Sequence, residues 1–361
     1  LDEPELEDLM VLLPALLQSL EVLGYVARHF NPPDFDGLMA AVGRPDDALR
    51  AARPRLSAWP DRLGDARVAL ETASDRALAA FDGLRQAEGQ ADLLRPVFRA
   101  LGQISRAQEA LYPLAGALAP VSRYFLEPGQ RGDAALQARL AQAPARDEVG
   151  VMHLDNEPGS RGGFSAYAPE YYTPDQAWPL VVALHGGAGN GRSFLWSWLR
   201  DVRSHGAILI APTAVGDTWA LSGPDRDTPN LARIVDLARA RWNIDPARVL
   251  LTGMSDGGTF AYVTGLEPGS PFTHLAPIAA AFHPMLAQMA DPGRIGGLPI
   301  HVAHGALDWM FPVDMAREAA RALAAAGAQV TYRELADLSH SYPRELNPEI
   351  LDWMGRTGQG G

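Results

Sequence analysis

The chain has 361 residues, more than one ordinary domain and enough for two; 47% hydrophobic against 20% charged residues supports a full core and excludes disorder. A net charge of −12 leaves no basic patch and excludes nucleic acid as a partner. All 31 basic residues are Arg and Cys is absent, which excludes lysine Schiff bases, a P-loop lysine, disulfides, thiolate metal sites and a cysteine nucleophile.

In chain order, Glu5 to Phe30 carries Leu6, Leu9, Met10, Leu13, Leu16, Leu17, Leu20 and Leu23 at i, i+3, i+4, i+7 steps. That spacing predicts an amphipathic helix, bent at Pro14 and ended by Asn31-Pro32-Pro33-Asp34. No run of about 18 apolar residues suggests a membrane span. Arg67 to Ala87, Ala91 to Tyr112, Leu114 to Phe125 and Asp133 to Ala141 read as further helices. Residues 1–146 are therefore predicted to form an all-α domain of four or five helices, serving as a lid, a dimerisation surface or a docking module. The junction at Ala143–Asp147 has little Gly or Ser, which suits a fixed arrangement better than a flexible tether. The opening Leu1-Asp2-Glu3-Pro4-Glu5 is acidic, unlike a signal peptide, so a cytoplasmic location is expected. Residue 1 is not Met, and removal of an upstream segment stays open.

After Arg146 short β-rich runs alternate with helical patterns. Strands are predicted at 149–154, 163–167, 180–184, 207–210, 249–251, 275–279, 299–303 and 329–333. Helices are predicted at Ser193–Ser204, Pro229–Trp242, Asp256–Leu266, Val313–Ala326 and Asn347–Met354. Residues 147–361 thus read as an α/β domain whose mostly parallel sheet is covered on both faces. Little separates the sixth strand from the seventh, so no large lid is expected there.

In such a sheet, reactive groups lie beyond the carboxyl ends of strands. Gly253-Met254-Ser255-Asp256-Gly257 follows one strand and opens a helix. Gly-x-Ser-x-Gly in that context pushes a serine hydroxyl out above the sheet, at a helix N-terminus that favours developing negative charge. Asp308 follows the 299–303 strand and His340 follows the last one, giving the chain order Ser, Asp, His. A serine hydroxyl is a weak nucleophile until an imidazole takes its proton and a carboxylate fixes the imidazole's tautomer. His185-Gly186-Gly187-Ala188 follows the 180–184 strand. Backbone N–H groups of Gly187, Ala188 and Asp256 are expected to form the oxyanion hole, with the Asp256 carboxylate pointing away. A phosphate-cradling loop is the rival reading; it lacks both the Walker lysine and the dinucleotide fingerprint.

Trp219, His283, Trp309, Met310 and Phe311 are candidate pocket residues and favour an apolar or aromatic substrate group. Asp337 is the runner-up acid, and His185 and His304 read as loop-orienting residues. No His and carboxylate set has metal-ligand spacing, and no cofactor is expected.

From Val149 to Met354 the chain resembles the α/β-hydrolase superfamily, in its predicted-esterase, phospholipase/carboxylesterase-like and polyhydroxybutyrate-depolymerase-like branch. The residues that carry the resemblance are His185-Gly186-Gly187, Asp245-Pro246-Ala247-Arg248-Val249, Gly253-Met254-Ser255-Asp256-Gly257-Gly258, His304-Gly305-x-x-Asp308 with Pro312, and His340. The resemblance implies ester hydrolysis through an acyl-serine, acting on a small-molecule or polymeric ester. It does not extend to the helical domain, for which a homodimer interface is one expectation. A polyester depolymerase or peptidase with the same triad, and a non-enzymatic interaction protein acting through the helices, are the alternatives.

Overall fold

The computed structural model describes residues 2–357; Leu1 and residues 358–361, and with them the outer bounds of the two predicted domains, lie outside it. The chain divides into two compact units, Leu1–Gln137 and Ala138–Gly361. The first is all helical: α1 (Glu3–His29), α2 (Phe35–Val42), α3 (Asp47–Ala52), α4 (Gly64–Ala87), α5 (Leu94–Leu111), α6 (Ala119–Tyr124) and the start of α7 (Ala134–Gln142). The short helices α2 and α3 are additions to the sequence-based reading; Gly43 with φ +66° and Pro45 separate two pieces too brief to show a period.

In α1 the buried stripe is Leu9, Leu12, Leu13, Leu16, Leu20, Leu23 and Val26, which packs on α2 to α6. The helix starts on a capping box, with Glu5 reaching back to the Asp2 amide at 2.8 Å. Pro14 lies inside the helix without ending it. α1 is also long and apolar enough to cross a membrane by length and composition. Gln18, Ser19 and Glu21 interrupt the apolar run, so the helix passes by its average composition and not by an unbroken apolar stretch. Small residues let α4 and α5 approach closely. A Cβ at Gly83 would meet the Ala100 Cβ at 2.9 Å. Asp46 is fully buried here, and Arg50 (2.7 Å) and Arg85 hold its carboxylate. Burial alone would raise its pKa, but the two guanidiniums hold it below the ordinary value.

The second unit is built on one eight-stranded sheet in the order β1-β2-β4-β3-β5-β6-β7-β8. The strands are β1 (Gly150–Leu154), β2 (Phe164–Ala168), β3 (Trp178–Leu184), β4 (Ile208–Pro212), β5 (Ile244–Met254), β6 (His274–Ile278), β7 (Pro299–Gly305) and β8 (Gln329–Leu335). β1 and β2 pair antiparallel and β2 meets β4 antiparallel; the rest of the sheet is parallel. Leu180 to Leu184 are buried throughout, as a parallel strand covered on both faces requires. The connections carry α8 (Gly191–Phe194), α9 (Leu199–His205), α10 (Asp227–Arg241), α11 (Asp256–Gly265), α12 (Met285–Met289), α13 (Pro292–Ile295) and α14 (Val313–Ala325), and α15 (Asn347–Thr357) follows β8. The β6–β7 connection is fuller than expected, because α12 and α13 fold inside it.

Register fixes where the loops emerge. Leu184 pairs with Gly253, so the His185 loop and the Ser255 turn leave the sheet side by side. Gly305 pairs with Leu335, which does the same for the loops carrying Asp308 and His340. This is the α/β-hydrolase fold, joined to a helical N-terminal region.

Candidate active site

The turn after β5 holds Ser255 at φ +55° and ψ −122°, a region L-residues rarely adopt. Its amide is spent on Ile278 O (3.0 Å), which bends the chain and leaves the hydroxyl at the mouth of the turn. The surrounding glycines are steric necessities. A Cβ at Gly253 would lie 2.5 Å from the Gly257 carbonyl carbon, and one at Gly257 would lie 2.4 Å from His185 O. Only hydrogen fits at either position.

The structure brings the three expected residues into one chain of contacts. His340 Nε2 is 3.1 Å from Ser255 Oγ, and His340 Nδ1 is 2.8 Å from Asp308 Oδ2. All three are drawn from ends of different strands, and both His340 and Ser255 are buried. The rings of Trp309 and Phe311 stand edge-on to the imidazole at 5.8 and 5.4 Å. The loop behind His340 is pinned as well: Tyr342 donates to Asn347 Oδ1 (2.8 Å), and Asn347 donates to Ser197 O and Asp201 Oδ2 (both 2.8 Å). Asp337, the runner-up acid, is exposed, while Asp308 meets the histidine.

Asp308 also shows what sequence reasoning undervalued. Its Oδ1 accepts the Met310 and Phe311 amides at 2.8 Å each. Its Oδ2 is shared between His340 and His304, whose Nε2 lies 3.2 Å away. Because Phe311 O also faces His304 Nε2 at 2.9 Å, both neighbours are acceptors and that nitrogen carries the proton. Burial pushes the Asp308 pKa up; the donations from His304, His340 and the Phe311 amide outweigh it and hold the carboxyl far below its ordinary range. The i, i+4 spacing of His304 and Asp308 across a strand end was the available signal.

On the other side, His185 donates from Nδ1 to Gly186 O (2.7 Å) and accepts the Ala214 amide at Nε2 (3.1 Å). That pattern needs a neutral ring, and burial, with help from the Arg161 charge, lowers its pKa to about 4. Ala188 follows at φ +55°, a left-handed conformation without glycine's excuse, costing about 1–2 kcal/mol. The Gly189 amide closes the turn onto Gly186 O (3.1 Å). Asp256 differs from expectation. Its Oδ2 takes the Thr218 hydroxyl at 2.7 Å and sits where any side chain at Gly187 would go, 2.8 Å from a Cβ built there. Thr218 thus turns the carboxylate toward the flank of the Gly187 loop instead of away from it.

The expected pocket residues separate. Trp309, Met310 and Phe311 follow Asp308 directly, with Met310 exposed. Trp219 is buried: its indole N–H donates to His185 O (2.7 Å) and its rings stack on Phe260 at 5.5 Å. Its contacts are with the loop and core. His283 is exposed and accepts the Met285 amide at 3.2 Å, ahead of α12. Trp196 and Trp198 are both core. Among the described residues no cluster of three or more potential ligands could hold a metal ion.

Residues 222–353, which include all three of Ser255, Asp308 and His340, match the model of the phospholipase/carboxylesterase family. The C-terminal unit has the α/β-hydrolase fold, and this match lies wholly within it. Among characterised proteins, a bifunctional acetylxylan esterase/xylanase of Neocallimastix patriciarum is 28% identical over 216 residues, covering 55% of this chain and 28% of that one. A poly(3-hydroxybutyrate) depolymerase of Ralstonia pickettii is 29% identical over 126 residues, 29% of this chain and 25% of its own. The chain therefore spans about a quarter of the length of the relatives it matches. A solved thermostable esterase aligns at TM-score 0.48 and 21% identity, over 58% of this chain and 63% of that one.

Proposed function

We propose that this protein hydrolyses carboxylic esters through an acyl-Ser255 intermediate. The observation that supports it most is the unbroken contact Ser255 Oγ–His340 Nε2 (3.1 Å) and His340 Nδ1–Asp308 Oδ2 (2.8 Å), built on a strained turn. In this reading His340 takes the Ser255 proton as Oγ attacks the carbonyl carbon. The carbonyl oxygen becomes an oxyanion, accepted by backbone N–H groups of Gly187, Ala188 and Asp256. Collapse expels the alcohol, which receives the proton from His340. Water then attacks the acyl-serine by the same route, releasing the acid and restoring Ser255. Asp308, kept ionised by its four donors, orients His340 in the Nδ1–H tautomer and stabilises the imidazolium. His304 holds Asp308 from the far side.

The relatives' names, an acetylxylan esterase and a polyester depolymerase, support an ester as substrate class. The exposed Met310 beside Trp309 and Phe311 suits an apolar acyl or alcohol group. The test is kcat/KM on p-nitrophenyl esters of graded acyl length for wild type and Ser255→Ala. Loss of about 10⁵-fold or more is expected. Ester hydrolysis at the wild-type rate by Ser255→Ala would refute the reading.

A further inference from the structure

Arg161, in the turn between β1 and β2, lies outside every motif that defines the site. Its Nε donates to Gly216 O at 2.7 Å and its Nη1 to Gly189 O at 2.8 Å. Gly189 closes the loop that begins at His185; Gly216 opens the loop that carries Thr218 and Trp219. Both carbonyls belong to irregular backbone, so neither has a ladder partner to fall back on. A single side chain therefore spans the loops that follow the neighbouring strands β3 and β4, on one side of the Ser255 turn.

The charge is the second observation. Arg161 is half-buried, its Nη2 is buried without a hydrogen-bond partner, and among the described residues it has no carboxylate partner. A partly buried cation is ordinarily neutralised. Here its positive charge is felt at His185, where it helps keep the ring neutral.

The frame around it is stiff. Asn230 on α10 donates to Gly162 O at 2.9 Å, fixing the residue after Arg161. Asp227 accepts the amides of Val215 (2.8 Å) and Ala220 (2.9 Å), fixing both ends of the second loop. Trp219 and the Ala214 amide bind the His185 end of the first loop to the second, and Arg161 ties its Gly189 end to Gly216.

We infer that Arg161 is the positioning residue of the oxyanion loop, setting where the Gly187 and Ala188 amides stand and lending them an unneutralised positive charge. The inference rests on the serine-esterase reading above. Misplacing oxyanion donors by a fraction of an ångström weakens transition-state binding and leaves ground-state binding nearly alone, so the effect belongs in kcat.

The experiment compares wild type, Arg161→Lys, Arg161→Ala and Ser255→Ala on one p-nitrophenyl ester, with circular dichroism on each. Arg161→Lys keeps the charge and reaches only one carbonyl. We expect kcat to fall about tenfold in Arg161→Lys and about a hundredfold in Arg161→Ala, with KM changed less than threefold. Millimolar guanidinium ion should restore part of the Arg161→Ala rate. A kcat within twofold of wild type in Arg161→Lys and Arg161→Ala overturns the inference, as does a loss confined to KM. Failure of both variants to fold overturns it too, since the residue would then serve stability alone; if only Arg161→Ala fails, the kcat of Arg161→Lys decides. Activity surviving in Ser255→Ala removes the serine reading itself, whereas an inactive Ser255→Ala beside normal Arg161 variants removes only this role.

Discussion

The two units of this chain use charge in opposite ways. In the helical unit the buried Asp46 carboxylate is matched by Arg50 and Arg85, and nothing chemical is left over. In the α/β unit the buried Asp308 carboxylate is matched by two imidazoles and two amides, with no arginine beside it among the described residues. Among the described residues Arg161 is left without a carboxylate partner. Charge cancelled by a permanent opposite charge holds a fold together; charge held by hydrogen-bond donors stays free to act on a proton or an oxyanion. The backbone shows the same contrast. Two of the positive-φ non-glycine residues, Ala188 and Ser255, fall in the site loops, whereas none falls in the helical unit among the described residues.

The comparison breaks most sharply at the triad. Ser255→Ala and His340→Ala are each expected to lower kcat by about 10⁵-fold or more, with a residual rate from the oxyanion hole. Asp308→Asn should cost about 10⁴-fold, because the amide favours the wrong tautomer of His340. Asp337→Asn is the control and should change kcat less than threefold; a larger loss there than in Asp308→Asn would move the acid to residue 337.

His304 sharpens it further. His304→Phe removes one of four donors to Asp308, and kcat should drop about tenfold, since removing one donor to a charged group is worth roughly 1.5–3 kcal/mol at most. His304→Gln keeps an N–H near the same place and should recover most of that loss. Equal losses in the two variants would show that ring packing, not donation, is what matters.

Much of this was legible beforehand, and the reasons differ by region. The central strands were readable because buried parallel strands are continuous apolar runs such as Leu180–Leu184, and the antiparallel pair β1 and β2 because the turn residues Asn156-Glu157-Pro158-Gly159 separate two β-rich runs. Ser255 was readable because Gly253 and Gly257 are demanded by backbone contacts of 2.5 and 2.4 Å, leaving a fixed spacing in the sequence. Residues 285–295 were not read as helices because α12 and α13 span only five and four residues, less than two turns each. The direction of the Asp256 carboxylate was hidden because Thr218, which fixes it, lies 38 positions away in sequence. Arg161 was unreadable for the same reason: its partners are carbonyls, which carry no residue identity.

Stability should separate the units as activity does. Asp46→Ala leaves Arg50 and Arg85 to the half-exposed Asp82 carboxylate, having lost their buried partner. Discounted for the partial exposure of both guanidiniums, the helical unit should lose about 2 kcal/mol, read as a lower urea midpoint, with kcat unchanged. In the α/β unit the pH dependence has a definite sign. His185 titrates near 4 when folded against an ordinary 6.5, so the unfolded chain takes up the proton first. Its contribution is present in full above about pH 6.5 and is lost as pH falls toward 4, at about 1.4 kcal/mol per pH unit. Asp308, lowered in the fold, acts in the same direction below the ordinary carboxylate range. A urea midpoint that stayed flat between pH 6.5 and 4 would contradict the neutral His185 ring.

Asp256→Asn should give the smallest effect. The amide oxygen can still accept from Thr218, and kcat should stay within threefold. A gain of a hundredfold or more would show that the carboxylate had been repelling the oxyanion.

The central claim, that Ser255 is the nucleophile, is tested most directly by reaction with a fluorophosphonate followed by intact-mass and peptide mass spectrometry. One phosphonyl group is predicted on Ser255, absent from Ser255→Ala and strongly slowed in His340→Ala. A label carried by another residue, or taken up equally by Ser255→Ala, would contradict it.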